Sequence, residues 1–291
     1  MAYKDVILEK EGNIARVIMN KPDKMNTYSF FGGKDADAME IWNAFDEAAE
    51  DDDVKVIIFK GAGRCFTVGH DLSKVGKVYG MGTGQAGERR PSQRIRLKLD
   101  RNGYEVPMRS IFLNPKITIA QVHGHCIGGA IFFAIWCDLV VAAEDSQFGF
   151  SEQRLGFAGS GVTMSHLVMT IGLKRTLDLL LTGRTFTGKE AAEMGLITKA
   201  VPPDKLEDEV EKLAKAMTLL PRDGIAIGKA TRHLIYDRLG LTGDFTPAYI
   251  SHTLFTNLRW EPDEYNFFKE RRDKGTKTGF KVRDERYKGL T

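Results

Sequence analysis

The stretch from Ile117 to Gly161 (ITIAQVHGHCIGGAIFFAIWCDLVVAAEDSQFGFSEQRLGFAGSG) limits what this chain can fold into more than any other. An apolar run, Ile117 to Val122, stops at His123-Gly124. The pair Gly128-Gly129 opens a second apolar run, Ala130 to Trp136. A third, Leu139 to Ala143, leads through a polar turn to Glu152, which stands among Phe148, Phe150 and Leu155. This order predicts strand, glycine turn, buried helix, strand, and a loop bearing one carboxylate. Glycines at a strand-to-helix turn let a ligand approach the backbone closely. The helix that follows presents unpaired N–H groups carrying partial positive charge. Such a turn can hold a negative oxygen.

The chain before this stretch alternates strands with helices. Val6 to Leu8 and Ala15 to Met19 read as strands joined at Glu11-Gly12-Asn13, followed by a loop, Lys21 to Asn26, broken by Pro22. Ala38, Ile41, Trp42, Phe45, Ala48 and Ala49 form one apolar helical stripe. Val54 to Phe59 is β-branched and apolar, as a buried strand requires. It runs into Gly61-Ala62-Gly63-Arg64-Cys65-Phe66-Thr67-Val68-Gly69-His70-Asp71-Leu72. A strand followed by G-x-G raises a dinucleotide fingerprint, but Phe66 stands where its third glycine belongs, which excludes that reading. Residues 73–88 are glycine-rich. Pro91 suits the start of a helix on which Arg90, Arg94, Lys98 and Arg101 share a face. That stripe fits either a solvated surface or a landing strip for phosphates, on a small molecule or on RNA.

After Gly161 the pattern predicts helices at 162–169 and 174–181, then a capping box, Thr187 to Glu190, opening a helix that Gly195 ends. Ile197 to Val201 reads as a strand. Helices are expected at 206–219, 225–239, 247–258 and 262–272, and the tail from Gly275 is charged without period. The order argues for an α/β core over residues 1–203 with a helical region over 204–291.

Composition narrows the partners. The chain is 42% hydrophobic and 28% charged, ordinary for a soluble globular protein. A net charge of +3 gives no general attraction to nucleic acid, so any basic site must be local. Cys65, Cys126 and Cys137 are odd in number and lack C-x-x-C spacing, which fits a reducing, cytoplasmic setting. MAYKDVILEKEG lacks the apolar core of a signal peptide, and no apolar run is long enough to span a membrane. His123 and His125 have no supporting cysteine or carboxylate cluster, so no metal is expected.

Two features converge on one oxygen. In a parallel sheet, the loop Phe66 to Gly69 and the turn Gly128-Gly129 both lie at carboxyl ends of strands, where ligands sit. Two backbone N–H groups there could hold a carbonyl oxygen as it becomes an enolate. Glu152 is the one well-placed acid, and apolar neighbours would raise its pKa toward the range useful for proton transfer. The competing reading is a surface carboxylate paired with Arg154.

Val56 to Leu72 (VIIFKGAGRCFTVGHDL) followed by Ile117 to Asp138 (ITIAQVHGHCIGGAIFFAIWCD) resembles the crotonase superfamily, the enoyl-CoA hydratase/isomerase family. The likeness continues at Phe148-Gly149, Glu152, Leu155-Gly156, Leu181 to Arg184 and Ala191 to Ile197. It implies a crotonase-like α/β spiral of repeated ββα units, a helical C-terminal region, and homotrimers or hexamers. It also implies a coenzyme A thioester as substrate, with no cofactor beyond that coenzyme. The oxyanion donors would be the N–H groups of Val68 and Gly129, with Gly128 beside them. Coenzyme A would lie near Met25, along the segment Phe66, Gly69, Asp71 and Leu72, and near the basic helix. Phe267, Phe268 and Lys274 would help close the site, and residues 74–90 would shape the acyl pocket.

The departures from the family pattern are informative. Hydratases of this family hold a water between two glutamates. The second matches Glu152, whereas the first would fall at Phe132, and no acid occupies Ala130 to Ala134. The turn after Glu152 differs too, and Ser160 lies near the place of the dehalogenases' aspartate nucleophile. A single acid suffices for double-bond isomerisation through an enolate, and Phe132 would keep that side of the pocket dry. His70 and His125, which flank the two turns, are candidates for the missing group. The expected activity is of the hydratase or isomerase type. The alternatives are a ring-opening or C–C-cleaving acyl-CoA hydrolase, or a non-catalytic member that binds acyl-CoA or RNA.

Overall fold

The structure is a computed structural model that describes residues 3–29, 37–72, 92–157, 164–255 and 260–290. Strands β1 (Val6–Glu11) and β2 (Ile14–Met19) form an antiparallel hairpin that turns at Gly12, whose φ is +58°. Strands β3 (Val56–Gly61), β4 (Ile117–Val122), β6 (Leu139–Ala143) and β9 (Lys199–Val201) extend it in parallel, in the order β1-β2-β3-β4-β6-β9. A second sheet is built from β5 (His125–Ile127), β7 (Gln147–Gly149) and β8 (Thr185–Thr187).

Both faces of the larger sheet are covered, which is why apolar residues dominate its central strands. On one face Val56, Ile58, Ile117, Ile119 and Val141 pack against Leu206, Val210 and Ala214 of helix α7 (Leu206–Thr218). On the other, Ile57, Phe59, Ala120 and Val122 join Ile41, Trp42 and Phe45 of α1 (Asp37–Glu50) and the apolar helix α3 (Gly129–Ile135). The alternation of neighbours along each strand separates the two cores.

Helix α2 (Gln93–Pro107) packs along α9 (Phe245–Phe255) through a polar seam. In that seam buried Asp100 accepts a hydrogen bond from the Thr253 hydroxyl at 2.7 Å and lies 3.0 Å from Nδ1 of His252. Arg94, Lys98 and Arg101 consequently face solvent, while Arg90 lies outside the described residues. The helices α4 (Met164–Ile171), α5 (Leu173–Thr182) and α6 (Gly188–Glu193) follow the expected order. The capping box at Thr187 is present in both halves, with Glu190 N–H donating to Thr187 Oγ1 and Thr187 N–H to the Glu190 carboxylate.

Helix α8 (Arg222–Arg238) is anchored by Lys229, whose ammonium sits 2.6 Å from both carboxylate oxygens of Asp138. Asp138 in turn accepts hydrogen bonds from the backbone and hydroxyl of Thr118. Two expectations are corrected at the carboxyl end. The helix expected from Pro262 starts at Phe267, where the Asn266 side chain caps α10 (Phe267–Lys274) by accepting from Lys269 N–H. The tail from Gly275 is not without structure, because Thr276–Glu285 forms helix α11. Its charges surround the helix and hide the period, and contact is made through a bare backbone at Gly279, where a Cβ would lie 3.3 Å from the Phe267 ring. Among the described residues, no helix is long and apolar enough to cross a membrane.

Candidate active site

The site is assembled from four separate segments, and Asn26 joins the first two. Met25 and Asn26 both adopt left-handed backbone, with φ of 52° and 54°. This rarely populated geometry must be fixed by surrounding bonds. Asn26 is buried, and its Nδ2 donates to the carbonyls of Ala62, Cys65 and Phe66 at 2.9, 2.9 and 3.2 Å. Its Oδ1 accepts from Lys21 N–H at 2.9 Å, and its carbonyl accepts from the Thr67 hydroxyl at 2.7 Å. The loop after β3 is then stitched to β5: Phe66 N–H donates to His123 O, Thr67 N–H to His125 O, and Ile127 N–H to Thr67 O. Gly128 N–H donates to Gly149 O at 2.8 Å, which ties the glycine turn to the strand entering the acid loop.

The two turns meet as the sequence implied. A Cβ on Gly69 would lie 2.6 Å from Ile127 O and 3.7 Å from Gly129 N. Gly128 has φ +61° and ψ −130°, and Gly129 is the first residue of α3, whose opening N–H groups lack helical partners. Glu152 lies directly over this turn: a Cβ on Gly128 would stand 3.1 Å from its Oε1. Burial pushes the Glu152 carboxyl up to about 7. Arg154 is directed elsewhere, its Nε donating to Thr182 O at 2.7 Å and its guanidinium lying 4.3 Å over the Tyr287 ring. The reading of Glu152 as a partner of Arg154 is thereby set aside.

Val68 N–H is engaged within the protein. It is donated to Met25 O at 3.2 Å, because the left-handed turn at Met25 aims that carbonyl at the loop. Gly69 N–H is held by the Thr67 hydroxyl at 3.0 Å. Of the expected pair of backbone donors, Gly129 is therefore the one that the helix start leaves outside the ladder.

His70 is brought to the turn and His125 is not. A Cβ on Gly129 would lie 3.6 and 3.7 Å from Cδ2 and Nε2 of His70, whereas His125 is exposed on β5. Tyr28, which sequence reasoning passed over, is buried with its ring 4.8 Å from those of His70 and Phe133. Its hydroxyl occupies the space that a Cβ on Gly129 would need. It follows a loop with no period, so its burial had no signal in the spacing. His123 Nε2 is bonded to Gly63 O at 2.8 Å, a structural use. Among the described residues, no group of three or more His, Cys, Asp or Glu side chains could hold a metal ion.

Phe132 fills the position one helical turn beyond the glycines, 5.6 Å from the Phe150 ring and 6.3 Å from Trp136. Phe132 is thus part of an aromatic cluster with Phe150 and Trp136. The opposite rim is formed by the carboxyl-terminal helices. Phe267 and Phe268 pack with Leu155 and Phe157 of the acid loop, and with Leu72 and Trp260. Arg271 contacts the Leu72 carbonyl, and its cation is favoured by Asp71 although burial pulls it down. Asp71 N–H donates to Tyr28 O at 2.8 Å. Lys274 is exposed and pairs with Glu270 of its own helix at 3.0 Å, away from the glycine turn.

Comparison with known proteins agrees with this geometry. The Enoyl-CoA hydratase/isomerase family model matches residues 9–236. The chain is 29% identical over 231 residues to a hydroxycinnamoyl-CoA hydratase-lyase of Pseudomonas fluorescens, covering 79% of this chain and 78% of that one. It superposes on an enoyl-CoA hydratase/isomerase from Xanthobacter autotrophicus Py2 with a TM-score of 0.81 at 26% identity, covering 98% and 99% of the two chains. An enoyl-CoA hydratase from Mycobacterium smegmatis, at 23% identity, shares the fold with a TM-score of 0.82 over 98% and 94%. With its parallel spiral, its glycine turn and the match across most of its length, the chain belongs to the enoyl-CoA hydratase/isomerase family of the crotonase superfamily.

Proposed function

We propose that this chain binds a coenzyme A thioester, stabilises its enolate at the Gly129 turn, and moves one proton with Glu152 as the single acid/base. The observation that carries this reading is the Glu152 carboxyl, raised to about 7 by burial and standing over Gly128. A carboxyl that titrates near neutrality can both accept and return a proton. As a base it takes the proton from C2 of an enoyl thioester. The electron pair moves into the thioester carbonyl, and the N–H of Gly129 faces the oxygen that gains charge. As an acid it returns the same proton at C4, so the double bond shifts and no water is consumed. Phe132 favours this outcome because it leaves no second carboxylate to orient a water. His70 lies close enough to the turn to assist, and His125 has no part. Coenzyme A is the only cofactor-like group required, as part of the substrate, and the assembly is taken to be a homotrimer or hexamer.

The decisive experiment incubates the protein with a panel of acyl-CoAs in heavy water and follows products by mass. A shifted double bond with no added water mass and little deuterium in the product, as a proton carried from C2 to C4 on one carboxyl requires, supports the isomerase reading. A hydrated product, or a shortened acyl chain, would replace it with hydratase or C–C-cleaving chemistry, the type named for the Pseudomonas fluorescens relative.

A further inference from the structure

A cavity of about 670 Å³ opens at the carboxyl ends of β2, β3, β4 and β6. That is the size of a small-molecule site. It lies on the face of the sheet that α7 covers, with Leu206 in its wall. Helix α3, which begins at the glycine turn, packs on the opposite face.

The strand register sets the floor. Ile18 pairs with Lys60, and Gln121 with Val141. Side chains alternate along a strand, so Lys60 and Gln121 follow Ile58 and Ile119 on the α7 face. There the aliphatic row ends in an amide. Gln121 is 8% exposed, and its side chain makes no hydrogen bond among the described residues. It lines the cavity instead. Buried polar groups are ordinarily bonded, so an amide left open in a cavity floor is suited to a partner from outside.

The walls are held before any ligand arrives. Ala62 N–H donates to Met19 O at 2.8 Å, and His123 Nε2 is bonded to Gly63 O at 2.8 Å. The Arg64 carbonyl sits against Gly124 so closely that a Cβ there has no room. Ile18, Ala143 and Leu206, all buried, supply apolar surface. Lys60 and Glu207 neutralise one another at 3.3 Å. Arg64 and Asp145 also line the cavity, and both are exposed without an ion pair among the described residues. Two cations thus balance two carboxylates, which disfavours a polyanion.

An apolar floor, one amide offering a donor and an acceptor side by side, and a carboxylate at the rim match an adenine nucleoside. A glutamine amide pairs bidentately with N6 and N7 of adenine. A carboxylate accepts hydrogen bonds from ribose hydroxyls. We infer that this cavity is a second small-molecule site that takes an adenine nucleoside, with the base edge on Gln121 and the ribose on Asp145. Arg64 admits the 5′-monophosphate as well. The site is separate from the acyl-CoA site and does not depend on that reading.

The test is calorimetric titration of the intact protein with adenosine, adenosine 5′-monophosphate, guanosine and 2′-deoxyadenosine, each with and without saturating coenzyme A. Adenosine and its monophosphate should bind once per chain, with affinity unchanged by coenzyme A. Guanosine carries an acceptor where adenine carries the N6 donor and should bind at least about tenfold more weakly. Deoxyadenosine, which lacks one hydroxyl for Asp145, should also bind more weakly. Gln121→Leu keeps the size of the side chain and suits its aliphatic neighbours. It should lose at least about tenfold in adenosine affinity with Tm unchanged or raised. The guanosine and deoxyadenosine titrations alter only the ligand, so they provide the readout should Gln121→Leu fold poorly. Adenosine that fails to bind, that binds Gln121→Leu as tightly as the parent, or that binds no better than guanosine and deoxyadenosine overturns the proposal. So does displacement by coenzyme A, which would assign the adenine to the coenzyme's own cleft.

Discussion

Glu152 and Gly128 share a contact that sets the chemistry of the site: a single methyl group on the glycine would stand 3.1 Å from the carboxylate oxygen. The glycine is also held at φ +61° and ψ −130°, where an L side chain is strained by about 1–3 kcal/mol. Gly128→Ala should therefore lower stability by that amount. It should also push the carboxylate off its position, at about 10²-fold in turnover, since displacements of this size at the reacting centre are costly. Thermal unfolding and steady-state rates check the two effects separately.

The pH dependence follows from the same carboxyl. Its ordinary value is 4.5, and burial raises it to about 7. Activity that needs the ionised base should rise through pH 7 and level off above it. Stability runs in the opposite direction. A group raised in the folded state contributes fully below its unfolded value, and that contribution is lost as pH rises through the folded one. Between about pH 4.5 and 7 the parent should lose up to roughly 3 kcal/mol relative to Glu152→Gln. Denaturant titrations of both proteins across this window measure it. Glu152→Gln should also lose at least about 10²-fold in turnover, and a variant within twofold of the parent would sink the assignment.

Placing a carboxylate at position 132 tests the proposed role of Phe132 in excluding water. Phe132→Glu should place a second acid among Phe150 and Trp136, destabilise the fold by a few kcal/mol through burial of a charge, and admit water. The expected gain is a hydrated product, seen as added water mass, that the parent does not form.

The fold and site were legible to different depths. β3 and β4 announce themselves because both faces of the sheet are covered, which favours runs rich in Val and Ile. Glu152 was visible as a lone acid among Phe148, Phe150 and Leu155, and the Thr187 capping box as a local pattern with a local cause. The engagement of Val68 was not visible. It depends on two non-glycine residues, Met25 and Asn26, entering left-handed backbone, which Asn26 secures through carbonyls far along the chain. Tyr28 was hidden for the same reason, since its burial is produced by that turn. Helix α11 was hidden by its own charges, because it docks through only Gly279 and the neighbouring Phe280 against Phe267, which makes no apolar stripe.

Asn26 can be tested without changing its shape. Asn26→Asp keeps the volume but removes the donors that face Ala62, Cys65 and Phe66 and brings a negative charge toward three carbonyls. A loss of at least about 3 kcal/mol is expected in urea unfolding, from several buried acceptors left unsatisfied.

Lys229 and Asp138 are a buried pair of another kind, far from the chemistry. Lys229→Met should cost about 3–5 kcal/mol, because it removes the cation that the Asp138 carboxylate pairs with beneath α8. The double change with Asp138→Asn should recover part of that loss, and a double-mutant cycle reads the coupling.

The packing of Phe267 and Phe268 on Leu155 and Phe157 gives the protein a chronology. On the ribosome, the sheet and its glycine turns are complete well before the aromatic cover for the acid loop has been made. A nascent or clipped chain that ends before residue 260 would own every strand of the scaffold yet expose the loop that carries its acid. The cover of the acid loop is thus the last part of this site to be synthesised, and the first it would forfeit to a protease acting near the carboxyl end.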